Sequence, residues 1–144
     1  MYKSILVAVD GSDDANLAVD AAAELSANFD AQIHLVHASE QHPLIVGSAS
    51  VMSFVPEEEL LKHGAAILDA AKQRAEAAEA KKLELHNLAE PGSAAQMILE
   101  LADEIKPDLV VVGSRGHGQL AGLMMGSVSQ KLCQLAKCSC LVVR

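Results

Sequence analysis

Short apolar runs bounded by turn formers alternate along this chain with longer stretches whose apolar residues repeat every three or four positions. Ile5 to Val9 is the first run, Ile33, Leu35 and Val36 stand in the second (31–38), and Lys82 to Leu88 forms the third. Leu109 to Val112 follows Pro107-Asp108 as the fourth, and Ser139 to Val143 is the fifth. These runs predict strands: the first is near-continuous and suits a strand covered on both faces, and the fourth is mostly β-branched and reads as buried. Between them the spacing predicts helices after Ser12 (Leu17, Ala18, Ala21, Ala22, Leu25), Pro56 (Leu60, Leu61, Ile67, Leu68, Ala71), Ser93 (Ile98, Leu101, Ala102, Ile105) and Ser127 (Val128, Leu132, Leu135). Ser12, Ser93 and Ser127 are predicted N-caps, and Gln96 and Gln130 stand three residues beyond the last two, completing capping boxes. Residues 39–56, rich in Ser, Gly, His and Pro, read as a long loop in which His42, Val51, Met52 and Phe54 are candidates to cover a ligand.

Strict alternation of strand and helix implies a parallel sheet with helices on both faces. Right-handed crossovers favour the order 3-2-1-4-5, with the switch point between the first and fourth strands. The expectation is a single α/β domain over 1–144, an open five-stranded parallel sheet of Rossmann-like design.

Composition narrows the chemistry. Hydrophobic residues make up 51% of the chain but aromatics only 2%, so the core is built from Val, Ile, Leu and Ala with Met as filler. A net charge of −8 and scarce aromatics argue against a nucleic-acid platform. Met1-Tyr2-Lys3-Ser4 leads straight into the first strand, with neither a signal-type region nor a span of about 20 apolar residues, so a cytoplasmic protein without membrane insertion is expected. Cys133, Cys138 and Cys140 read as small buried thiols rather than a disulfide framework. His34 and His37 point to opposite faces of the second strand and cannot form a metal pair with each other.

The chemistry concentrates where the fourth strand stops, at Gly113-Ser114-Arg115-Gly116-His117-Gly118, with Gly126-Ser127-Val128 opening the last helix. Glycines there can take positive φ and let backbone N–H groups approach a ligand, and a helix N-terminus favours an anion such as phosphate. Local charge agrees: Arg115, Lys131, Lys137 and Arg144 follow Leu109, and all 19 acidic residues precede it. The predicted topology sets Asp10, at the end of the first strand, beside this loop. Arg115 has two readings, a phosphate partner or a side chain projecting into solvent. His117 lacks a nucleophile at definable spacing and reads as a loop histidine.

The pattern Gly113-x2-Gly116-x9-Gly126-Ser127 resembles the nucleotide-binding signature of the universal stress protein family, in its ATP-binding branch. The resemblance covers essentially the whole chain and implies an adenine nucleotide alpha hydrolase-like fold. It implies ATP (or ADP or AMP) with Mg2+ as ligand, Asp10 contacting the nucleotide or its phosphate-bound metal, and Ala8 and Ala38 beside the base. Val112, Gly113, Ser114, Arg115, Gly116, His117 and Gly118, with Gly126, Ser127 and Val128, would hold ribose and phosphates. It also implies a homodimer, with the C-terminal strand as the pairing edge. The functional expectation is a nucleotide-dependent regulator of a partner in stress response. The alternatives are a slow ATP hydrolase, an enzyme of weak activity at most, and a nucleotide-liganded module of a membrane transporter or kinase.

Overall fold

In a computed structural model the chain is described over residues 1–48, 51–117, 122 and 124–144. Its elements are β1 (Ser4–Ala8), α1 (Asp13–Phe29), β2 (Gln32–Ala38), β3 (Leu44–Val46), β4 (Val51–Ser53), α2 (Glu57–Ala77), β5 (Leu83–Leu88), α3 (Ala94–Ile105), β6 (Leu109–Gly113), α4 (Ser127–Leu135) and β7 (Ser139–Val143). Five of the strands form one parallel sheet in the order β5-β2-β1-β6-β7. Counting only these five, that is the expected 3-2-1-4-5.

Strand alternation sorts the core into two layers. Ile5, Val7, Ile33, Leu35, Leu109 and Val111 face α1 and α2, where Ala18, Val19, Ala22, Leu68, Ala71 and Ala75 meet them. Leu6, Val36, Val110 and Val112 face the other way, onto Ile98 of α3 and Leu132 of α4. Ile5, Leu6 and Val7 are wholly buried, each contributing about 1.5–3 kcal/mol. Ala18, Ala22, Ala71 and Ala75 in this layer let α1 and α2 seat close to the sheet. Asp108 ties the central strands together at their start: its carboxylate accepts from the N–H groups of Lys3 (2.7 Å) and Ser4 (2.9 Å). Those two bonds hold its pKa below the ordinary value.

The helix starts follow the caps in two cases. Ser12 Oγ accepts from Ala15 N and Ser93 Oγ from Gln96 N. The Gln96 side chain donates to Glu100 instead of closing the box, and a carboxylate oxygen of Glu40 takes the N–H of Ala94 at 2.6 Å. The expected cap at Ser127 is corrected. Gly126 is the N-cap of α4 and Ser127 its first helical residue. Gly126 N donates to Ser114 O (2.6 Å) and Gly126 O accepts from Gln130 N (2.9 Å), which fixes the first turn one residue earlier than the Ser-x-x-Gln pattern indicates.

The expected loop at 39–56 is also corrected in part, since β3 and β4 pair antiparallel there. Leu44, Ile45, Val46 and Met52 of this hairpin are exposed, as is Phe54 just beyond it. The three cysteines gather on the α4 side of β7. Cys133 Sγ lies 2.7 Å from Cys140 Sγ, and burial, then this neighbour, pushes the Cys140 thiol up to about 12. Among the described residues, no helix is long and apolar enough to cross a membrane.

Candidate functional site

The carboxyl ends of β1 and β6 open onto a cavity of about 480 Å3, within the range of small-molecule sites. Ala8, Ala38 and Val112 supply an apolar part of its lining, and Asp10, Gly113, Arg115, Gly116 and His117 the polar and glycine part. Gly126, Ser127 and Val128, the start of α4, close one side. Of the expected site residues, Ser114 alone among those described is turned away from the cavity. Gly118 lies outside the described residues.

Asp10 holds the two halves of the site together. Its Oδ1 accepts from both the N–H (2.9 Å) and the hydroxyl (2.5 Å) of Ser12, and its Oδ2 accepts from His117 N at 3.2 Å. A side chain on Gly116 would overlap Oδ2. The requirement at Gly116 and Gly113 is therefore the missing Cβ, since neither has positive φ. At Gly113 a Cβ would stand 2.6 Å from the Asp14 carbonyl carbon and 2.7 Å from Ala15 N. The first turn of α1 rests directly on the end of β6.

A second carboxylate makes that contact polar. Asp14 Oδ2 accepts from Ser114 Oγ (2.7 Å) and Arg115 N (3.1 Å) and lies 3.5 Å from Arg115 Nε. The role of Asp14 as a latch on the glycine loop depends on the packing of α1 against β6, which no local pattern encodes. Of the two readings of Arg115, the structure shows a third arrangement, an ion pair within the protein. The Ser114 hydroxyl above all, then the Arg115 backbone and charge, hold the Asp14 carboxyl below its ordinary value. A lowered folded-state pKa contributes stability that is present above the unfolded value and is lost as pH falls through the folded one. Asp14→Asn is thus expected to cost about 1 kcal/mol at neutral pH. In urea unfolding, the gap from the parent chain should narrow as pH falls below the ordinary aspartate range and through the lowered folded-state pKa of Asp14.

Further residues reach the cavity that the sequence did not mark. His37, buried in β2, donates from Nδ1 to Val9 O (2.8 Å) and meets Ser39 Oγ through Nε2 at 3.1 Å. Glu40, His63, Ser129 and the earlier lid candidate His42 also line it. Ser129 Oγ donates to Gly113 O at 2.6 Å, fixing α4 against β6. The N-cap of α4 is a glycine, and among the described residues no side chain caps the helix; its first N–H groups stand at the cavity edge, where solvent or a ligand can meet them.

The model of the universal stress protein family matches residues 1–144. The chain belongs to this family. Universal stress protein YxiE of Bacillus subtilis is 37% identical over 151 residues, covering 100% of each chain. The crystal structure of a universal stress protein in complex with cAMP superposes at a TM-score of 0.73 and 31% identity, covering 99% of this chain and 97% of that one. The universal stress protein of Archaeoglobus fulgidus superposes at 0.76 with 24% identity over 100% of both chains, which speaks to the shared fold. This universal stress protein thus has the family's sheet, with its glycine loop and β1 aspartate meeting at one cavity.

Proposed function

We propose that this universal stress protein binds an adenine nucleotide in the β1/β6 cavity and acts as a nucleotide-dependent regulator of a protein partner. The observation that carries the reading is the uncapped start of α4 facing a glycine rim, donors suited to phosphate, beside a small apolar wall at Ala8, Ala38 and Val112 suited to a base. The relative in complex with cAMP supports the ligand class. ATP with Mg2+ is the ligand proposed. Among the described residues Asp10 Oδ2 accepts one hydrogen bond, from His117 N, and a carboxylate oxygen has a second lone pair suited to phosphate-bound Mg2+ or a ribose hydroxyl. Bound Mg2+ would neutralise phosphate charge beside that carboxylate.

The test is to denature protein purified without added nucleotide, identify what it releases, and titrate the stripped chain with ATP, ADP, AMP and cyclic AMP by calorimetry, with and without Mg2+. Saturable binding lost in Gly126→Trp is the expected result. A folded protein that releases nothing and gives no heat at millimolar ligand sinks the reading. We further propose pairing of two copies along β7, an edge strand whose Leu141 is exposed. Leu141→Lys should then sediment as a monomer, and unchanged sedimentation would remove that interface.

A further inference from the structure

At the opposite sheet edge, three potential metal ligands converge far from the nucleotide cavity. His34 of β2 and Glu84 of β5 are register partners, and His86 stands two residues beyond Glu84 on the same face. His34 Nδ1 lies 3.0 Å from His86 Nε2 and 3.5 Å from Glu84 Oε2; His86 Nε2 lies 3.7 Å from Glu84 Oε1. Ligands bound to one Zn2+ at about 2.0–2.2 Å in tetrahedral array stand roughly 3.3 Å apart, so the three groups already hold close to a metal's spacing. The two rings are stacked, with centroids 5.3 Å apart.

From this geometry we infer that His34, Glu84 and His86 form a site for a divalent first-row transition cation, with Zn2+ as its natural probe. Two imidazoles and a carboxylate are ligands of borderline softness, which select Zn2+ and its neighbours over Mg2+ or Ca2+. The imidazoles are largely buried, with side chains 11% and 15% exposed, whereas Glu84 is 57% exposed. Ions therefore have an entry path, and a fourth position is open to water. His34 precedes Ala38 by four residues, about 13 Å along the strand, and none of the three ligands lines the nucleotide cavity. The bound ion would clamp edge strand β5 to β2, stabilising the folded chain because the unfolded chain has no such site.

The chain, stripped with a chelator and free of nucleotide, is titrated with Zn2+ by calorimetry and with Co2+ by absorption. The expected results are one equivalent bound, visible Co2+ bands of a tetrahedral site without a near-ultraviolet thiolate band, and a Tm raised by Zn2+. Glu84→Gln, an exposed change, and His86→Gln are each expected to weaken binding at least about tenfold and to remove the Tm rise, with ATP titration unchanged. Cys138→Ser should bind as the parent does. No saturable binding, a thiolate band, or undiminished affinity in both the Glu84 and His86 variants would overturn the assignment. Whether the nucleotide titration succeeds or fails has no bearing on these readouts.

Discussion

Gly113→Ala is expected to destabilise the domain by about 3 kcal/mol, the upper part of the usual range for overpacking. The added methyl would meet the Asp14 carbonyl carbon, Ala15 N and Asp14 Cβ, at 2.6, 2.7 and 2.8 Å. None of these is the free end of a flexible side chain. Relief requires α1 to lift from β6, and α1 also carries Ala18, Val19, Ala22 and Ala23 of the core. Chemical denaturation would show a lower midpoint with an unchanged slope. A loss under 0.5 kcal/mol would mean that α1 is not seated on the strand end as described.

Gly116→Val is expected to act on ligand binding instead. Its neighbour is the terminal oxygen of Asp10, a group that can swing away without disturbing the core. In swinging it gives up the donors of His117 and Ser12 and reshapes the rim. A displacement costing about 1–3 kcal/mol corresponds to roughly a 10- to 150-fold loss of nucleotide affinity. Calorimetry should register that loss while the denaturation midpoint stays near the parent's. Equal affinity would separate Asp10 from the proposed nucleotide site, and a collapsed midpoint would show the rim to be part of the core. Those two outcomes would separate the glycines of one motif, with folding resting on 113 and the proposed binding on 116.

The sheet was legible because its cue is local. Apolar runs such as 5–9 and 109–112 are short, bounded and buried on both faces, and handedness restricts how they wind. That topology was enough to bring Asp10 to the glycine loop from a hundred residues away. What escaped notice depends on register or on packing. The pairing of His34 with His86 requires knowing that His34 faces Glu84 across β2 and β5, and no pattern within either strand carries that information. The Asp14 latch requires α1 to sit on Gly113. The α4 start was misplaced by one residue because Ser127 and Gln130 fit a capping box, while the chain commits Gly126 to Ser114 first. The paired strands β3 and β4 lie in a stretch that reads as loop because each is only three residues long and the Ser, Gly, His and Pro around them dominate the pattern.

Helices α1 and α3 begin on serines of their own, Ser12 and Ser93, whereas α4 begins on a glycine with no side chain to offer. An anion settling on its first N–H groups would complete that helix as a serine completes the other two. Its far end runs into β7 at the edge of the sheet. On the proposed function, filling the pocket would then also firm the outer strand, and a partner gripping that strand would sense the ligand without touching it.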